Sequence, residues 1–202
     1  SDVYKRQPLM DKFSSGMIDQ ILRSSEGKID QTQVQSANDL IDHFLNKDKR
    51  KAESLMREFT ERVIRGKDKD TLAQWVVGYK EPELQAGTAQ RVIESGIFDQ
   101  NPLEAVEFAN SLESTKAKRS ALSSAYARLA GGVNGHDPNI TATELNAMED
   151  GWQRDFALNG FAHGLVRRDP DAAIQWANSI SNEGFRKVVT NNITKRINAE
   201  VL

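Results

Sequence analysis

Apolar residues recur along the chain at the three- and four-residue spacing of amphipathic helices, with polar breaks between the segments. The first segment has Met10, Phe13, Met17, Ile18 and Ile21 on one helical face. Ten further segments of this kind follow, and no stretch alternates with the two-residue period of a strand. The pattern therefore predicts an all-α protein with eleven helices.

Capping residues and prolines mark where several helices are expected to begin. Asp30 is a predicted N-cap, and Thr141 with Glu144 has the spacing of a capping box. Proline fits the first helical turn because its missing N–H has no partner there. Three pairs place a capping side chain directly before a proline: Asn101-Pro102, Asp137-Pro138 and Asp169-Pro170.

Residues 96–112 are echoed 68 residues later by residues 164–180. Of 17 aligned positions, six are identical and six are conservative replacements. Similarity at a fixed spacing is characteristic of repeat proteins. The last ten predicted helices fall into five pairs between residues 30 and 198, which gives about 34 residues per pair.

The repeated positions resemble those of known helical-repeat families. They are Pro102, Ala105, Phe108 and Arg119, then Pro170, Ala173, Trp176 and Arg186, with Pro138 and Arg154 in a middle unit where Thr141 replaces the alanine. The chain resembles α-solenoids of the tetratricopeptide kind. It more closely resembles uncharacterised bacterial repeat proteins whose units begin Asp-Pro-x-x-Ala-x-x-Trp. The likeness covers roughly residues 68–198.

Two departures separate the chain from the tetratricopeptide pattern. No Leu-Gly pair follows the tryptophan, and the proline begins a first helix instead of closing a second one. The resemblance implies stacked helix pairs and, by analogy, binding of proteins or peptides.

The predicted architecture is an α-solenoid of about five stacked helix-turn-helix units behind an N-terminal helix. We assign residues 8–29 to that helix, 30–198 to the array and 199–202 to a tail. Residues 1–7 resemble a translated adapter sequence and are expected to be a non-native leader. Ala157, Gly160 and Gly164 share one helical face, where small side chains would allow close helix approach.

Charge and composition exclude several classes. With 27 basic and 29 acidic residues the net charge is −2, so no global field favours nucleic acid or a membrane surface. The absence of cysteine excludes disulfides and thiolate metal sites. No apolar run is long enough to cross a bilayer. The compartment stays open, because the native start is expected to be missing and any signal peptide would be lost with it.

The sequence offers no catalytic, cofactor-binding or metal site. His43, His136 and His163 lack metal-ligand spacing, and Gly131–Gly135 lacks the Gly-Lys-Ser/Thr of a phosphate loop. We interpret His163 as a partly buried structural residue and His136 as a solvated turn residue. The prediction is therefore a protein that is not an enzyme.

Four residues are candidates for contact with a partner. Trp152 follows Gly151 at a helix start and is the tryptophan expected to be exposed, whereas Trp75 and Trp176 are expected in the core. The other three candidates are Arg119, Arg154 and Arg186, which open successive second helices.

Two interpretations of these arginines remain open. They could form a ladder that binds carboxylates of a partner. They could instead pair internally, and this is the interpretation we favour, because an acid precedes each one in its turn. Those acids are Glu113, Glu149 and Glu183.

The leading hypothesis is a non-enzymatic helical-repeat scaffold that binds a protein or peptide. An alternative is the scaffold portion of a larger, truncated enzyme or regulator. RNA binding by a helical array is the least favoured hypothesis, because of the net charge. The partner, the binding face and the oligomeric state do not follow from the sequence.

Overall fold

The structure, a computed structural model, describes residues 16–22, 29–66, 69–79 and 81–200. Every regular element within these ranges is helical, so the predicted all-α class is confirmed. The described ranges hold eleven α-helices, the number predicted, and a short 3-10 turn at Val133–Gly135. The helices are α1 (Met17–Leu22), α2 (Gln31–Leu45), α3 (Lys49–Arg65), α4 (Lys69–Gly78), α5 (Pro82–Glu94), α6 (Glu104–Ser111), α7 (Thr115–Ala130), α8 (Pro138–Ala147), α9 (Trp152–Leu165), α10 (Pro170–Asn178) and α11 (Glu183–Glu200).

The helices belong to two compact units, the first ending at Trp75 and the second beginning at Val76. This boundary lies inside α4 and within the region predicted as one array, 30–198. The predicted leader at 1–7 lies outside the described residues, as do Met10 and Phe13 of the first predicted helix and the last two residues of the predicted tail, 199–202.

In the first unit, a capping box fixes the start of α2. The Asp30 carboxylate accepts a hydrogen bond from the Gln33 backbone N–H at 2.8 Å, and the Gln33 side chain accepts one from the Asp30 N–H at 3.0 Å. Two of the otherwise unpaired donors of the first turn are thereby satisfied. The predicted cap at Asp30 is confirmed.

The core of the first unit forms between the apolar stripes of α2 and α3. Phe59 of α3 is fully buried and packs on the Trp75 ring with a centroid distance of 4.6 Å. The Trp75 indole N–H donates to Asn38 Oδ1 at 2.6 Å. Trp75 is therefore a core residue, as predicted, and its polar atom is satisfied inside the unit.

In the second unit, three helices begin with an acidic cap followed by proline. Glu81, Asp137 and Asp169 accept backbone N–H groups of the first turns of α5, α8 and α10. The predicted starts at Asp137-Pro138 and Asp169-Pro170 are confirmed.

Two predicted helix starts were wrong. Thr141 is not a cap, because Asp137 already holds that position; Thr141 is fully buried inside α8 and its hydroxyl lies 2.7 Å from His136 Nε2. The helix expected after Asn101-Pro102 begins only at Glu104. The Asn101 side chain donates to the Glu104 carboxylate at 3.2 Å and does not cap the backbone.

The second unit alternates long and short helices. The long helices are α5, α7, α9 and α11, and the short ones that precede the last three are α6, α8 and α10. Helix α7 packs against both α5 and α9, so three long helices lie side by side with α7 in the middle. Helix α6 packs on α7, and α10 packs on both α9 and α11.

Glycines set the distance between α7 and α9. A Cβ added to Gly160 would overlap the Ser123 carbonyl oxygen and lie 2.7 Å from the Ser123 carbonyl carbon. A Cβ on Gly164 would overlap the Ala127 carbonyl oxygen and lie 2.7 Å from the Ala130 Cβ. The prediction that these glycines allow close helix approach is confirmed.

The buried carboxylate of Asp155 ties α9 to the turn between α10 and α11. Asp155 is only 3% exposed. It accepts hydrogen bonds from the Ser181 backbone N–H at 2.7 Å, the Ser181 hydroxyl at 2.9 Å and the Asn182 N–H at 3.0 Å. Such bonds to a charged acceptor stabilise the turn, and nothing in the sequence pattern indicated them.

We expect Gly160→Ala to lower the free energy of unfolding by about 1–3 kcal/mol, because the methyl group collides with the backbone of α7. Urea denaturation followed by circular dichroism measures the change. Gly87→Ala is the matched control: it also lies inside a long helix, but nothing lies within 4 Å of its added Cβ. That control should gain up to about 1 kcal/mol. Equal stability of Gly160→Ala and wild type would contradict the close approach.

We expect Asp155→Ala to cost about 1–3 kcal/mol, because two backbone N–H groups lose their acceptor. Hydrogen exchange at Ser181 and Asn182 should accelerate in the same variant. The control is Asp150→Ala, which removes a carboxylate whose side chain is 76% exposed and should change stability by less than about 1 kcal/mol. Unchanged exchange in Asp155→Ala would show that the turn does not depend on this carboxylate.

Candidate functional site

A groove runs along α7, between α5 on one side and α9 on the other. Its floor is one face of α7 together with the following Gly131. Residues with short side chains recur on this face about once per helical turn. Short side chains in the middle helix, with longer ones on its neighbours, give the groove its depth. The floor residues with short side chains are Thr115, Ser120, Ser123, Ser124, Ala127 and Gly131.

The groove consists of two adjoining hollows of about 620 and 730 Å³. Gln90, Ser123, Ser124 and Asn159 line both of them. At 1.5 Å per helical residue, the stretch from Thr115 to Gly131, which is α7 and its C-cap residue, spans roughly 24 Å. The groove is therefore long enough for about seven residues of an extended peptide.

Uncharged polar side chains on the groove wall hold one another in place. The Ser120 hydroxyl donates to Gln90 Oε1 at 3.0 Å, and Gln90 Nε2 donates to Glu94 at 2.8 Å. On the other wall, Asn159 Nδ2 donates to the Ser123 hydroxyl at 2.9 Å. Each carboxamide keeps a second N–H, so the groove offers pre-positioned donors on both walls where the two hollows adjoin.

Basic residues outnumber acidic ones along the groove. Among the residues that the structure describes, four basic residues and one acid, Glu94, line it; the basic residues are Lys116, Arg119, Arg128 and Arg196. Lys116 pairs with Glu83, and Arg128 pairs with Asp99, both of which lie outside the lining. With these two partners included, four cations face three acids, so the positive excess along the groove is one charge, whereas the whole chain carries −2.

Arg119 lies over two aromatic rings at the Thr115 end of the groove. Its guanidinium carbon is 5.6 Å from the centroid of the Trp152 ring and 5.3 Å from that of Phe156. Both distances are within the range of a cation–π contact. Phe156 in turn stacks on Phe185 of α11 at 4.6 Å. The structure thus brings together two of the four predicted site residues, Arg119 and Trp152.

The other two predicted arginines cap helix ends. Arg154 donates from Nε to the Leu145 carbonyl oxygen at 3.1 Å and from Nη1 to that of Ser179 at 3.3 Å. Arg186 donates to the Ile180 carbonyl oxygen at 2.8 Å. Backbone acceptors at the ends of short helices are satisfied in this way. Arg154 and Arg186 are therefore held by their own chain, and they do not form a ladder with Arg119.

Gln85 takes the corresponding place on α5. Its Nε2 donates to the carbonyl oxygens of Val76 at 2.9 Å and Val77 at 3.2 Å, at the end of α4. We call the four residues Gln85, Arg119, Arg154 and Arg186 the capping column. Gln85 was not identified from the sequence because it carries no charge, although its spacing of 34 residues from Arg119 fits the repeat period.

The acids predicted to pair with the arginines are not the ones used. Arg154 pairs with Asp150 at 2.8 Å, one residue after the predicted Glu149. Asp150 lies in the turn before α9, two residues ahead of its first residue, Trp152. Arg186 uses a carbonyl oxygen and Arg119 uses aromatic rings, so neither takes the predicted Glu183 or Glu113.

The remaining aromatic and histidine predictions have mixed outcomes. Trp152 is partly exposed. Trp176 packs edge-on against Phe161 at 5.1 Å and is only partly buried, so the assignment of Trp176 to the core was wrong. His136 is partly buried and bonded to Thr141, which corrects its interpretation as a solvated turn residue. His163 is partly buried, as predicted, and lines the groove.

The described ranges contain no group of three or more histidine, aspartate or glutamate side chains arranged to hold a metal ion. None of their helices combines the length and apolarity needed to cross a bilayer.

Comparison with protein-family models, with curated proteins and with solved structures gives no match to this chain.

His163 provides a test of the electrostatics of the groove. Burial, together with the positive charge of Arg196, lowers the pKa of His163 below its ordinary value of 6.5. The folded chain therefore binds this proton less readily than the unfolded chain. The stability that neutral His163 contributes is complete above about pH 6.5, decreases as the pH falls below that value, and levels off beneath the folded pKa.

We expect the melting temperature of wild type to fall more between pH 7.5 and 5.5 than that of His163→Gln. The variant lacks the group whose protonation opposes folding. Thermal denaturation at a series of pH values measures both profiles, and His43→Gln controls for the loss of one histidine elsewhere. Parallel profiles for wild type and His163→Gln would contradict the shifted pKa.

Proposed function

We propose that this protein is a non-enzymatic helical-repeat scaffold that binds an extended peptide segment of a protein partner. The observation that carries the proposal is the groove along α7, with its pre-positioned serine, glutamine and asparagine side chains. A peptide backbone presents one N–H and one C=O per residue, and such groups match a row of neutral donors and acceptors.

The repeat interpretation rests on the regular alternation of long and short helices in the second unit. We infer that five helix pairs, α2–α3 through α10–α11, are the units of an α-solenoid similar to the tetratricopeptide kind. The adjacent packing of α5, α7 and α9 supports this inference, because stacked units bury their apolar faces against their neighbours. In such a stack, the long helices would form the face that binds the peptide.

A second possibility is that the array is the scaffold portion of a larger enzyme or regulator. The complete gene discriminates between the two hypotheses, since a catalytic or membrane-anchoring segment would favour the larger protein. Turnover of any substrate by the present chain would count against a non-enzymatic role.

RNA binding has less support. Single-stranded nucleic acid is bound by basic grooves with aromatic rings open for stacking. Here Arg119 covers Trp152 and Phe156, and Phe185 stacks on Phe156. Two of the four basic groove residues are ion-paired with Glu83 and Asp99.

Filling the groove tests the proposal. We expect the wild-type protein to enrich peptides with a shared consensus from a random eight-residue library. Ser124→Tyr should weaken binding of these peptides by about tenfold or more, because the tyrosine ring occupies the groove floor. Fluorescence anisotropy with labelled peptides measures the dissociation constants.

Thr143→Tyr is the matched control, because it adds the same bulk to an exposed position of the short helix α8, away from the groove lining. It should bind as wild type does. If no peptide is enriched, or if both variants bind equally well, peptide binding in this groove is refuted.

A further inference from the structure

Arg119 is the exception in the capping column. Gln85, Arg154 and Arg186 each bond to backbone carbonyl oxygens at the end of the preceding short helix. Arg119 instead reaches across to α9 and lies on the rings of Trp152 and Phe156. Arg119 does not bond to a helix end as the other three residues do, and its side chain is exposed at the groove. It is therefore available for contact with a ligand.

The contact with the rings leaves the donors of Arg119 open. The guanidinium group contacts the two rings, and among the described residues its five N–H groups donate to no protein acceptor. Among the described residues, Arg119 makes no ion pair. Its N–H edge can therefore take both oxygens of a carboxylate in a bidentate pair.

Two rings also hold the side chain in advance of binding. A free arginine loses rotamer freedom when it binds, and that loss weakens the interaction. Phe156 is itself held by Phe185 of α11, which stacks on it at 4.6 Å. The position of the guanidinium group is therefore set by α9 and α11 together. The arrangement favours a specific contact over general attraction of negative charge.

The charges near Arg119 favour an anion. Lys116 lies one turn earlier on α7, and its pairing with Glu83 is exposed and thus weakly held. Glu94, the one acid among the described lining residues, lies on α5 in the hollow that Arg119 does not line, and it accepts a hydrogen bond from Gln90. Negative charge on a bound peptide is therefore best accommodated at the Arg119 end.

We propose that Arg119 binds a carboxylate of a peptide lying in the groove, so that the preferred partner segment is acidic at the position next to Trp152 and Phe156. This inference rests on the peptide-binding function proposed above and adds the chemistry of the ligand. The carboxylate can come from an aspartate or glutamate side chain or from a peptide C-terminus.

The test begins with peptides enriched on the wild-type protein from a random eight-residue library. Each is resynthesised in three forms: unchanged, with acids replaced by the matching amides, and with an amidated C-terminus. We expect loss of the critical carboxylate to weaken binding by about tenfold to a hundredfold, the range for a charge-assisted hydrogen bond. The form that fails identifies the source of the carboxylate.

Arg119→Gln should reproduce that loss with the unchanged peptide and should show little further loss with the amide form, because both changes remove one interaction. Arg119→Lys keeps the charge without the planar fork and should lie between the two. Lys118→Gln removes one charge from the residue that precedes Arg119 on α7, outside the groove lining, and should bind as wild type does. Circular dichroism checks that each variant is folded.

The outcomes separate the two proposals. Enriched peptides without acidic preference, bound equally by wild type and Arg119→Gln, overturn the role of Arg119 and leave peptide binding intact. Failure to enrich any peptide overturns both. Binding of an unstructured 12-nucleotide RNA at about 150 mM salt, weakened by Arg119→Gln, would overturn both in favour of nucleic acid.

Discussion

Gly160 and Gly164 let the backbone of α9 approach α7 until no methyl group fits between them. The contacts of the groove wall depend on this approach. Only at this distance does the Ser123 hydroxyl reach the Phe156 carbonyl oxygen, at 2.9 Å, while accepting from Asn159. A wider separation would lift the rings of α9 away from Arg119. Backbone contact between two helices thus determines where polar and aromatic groups of the groove are placed.

The helices were predictable because their patterns are local. An apolar stripe at helical spacing, an aspartate cap and a first-turn proline each act within a few residues. The failures arose where two local possibilities competed. Thr141 has the spacing of a capping box, but Asp137 lies earlier and already precedes a proline, so Thr141 is left inside the helix and buried. Asn101 was expected to cap a helix, yet its side chain bonds to Glu104.

The groove was much less predictable, because its parts come from helices far apart in sequence. Serines on α7, amides on α5 and α9 and an arginine at one end have no common motif. The spacing of Arg119, Arg154 and Arg186 was evident, but the destination of each side chain depends on its neighbours. Arg154 meets two carbonyl oxygens, whereas Arg119 meets two rings. The buried bonds of Asp155 were invisible for the same reason, since their donors lie 26 and 27 residues away.

Arg154 has a consequence for the mechanics of the second unit. Its guanidinium spans from the end of α8, at Leu145, to the residue following α10, at Ser179, so one side chain straps together two consecutive short helices. Rotation of one helix pair about the next would have to stretch or break these bonds. Bending along this part of the chain is therefore expected to concentrate at junctions without such a strap.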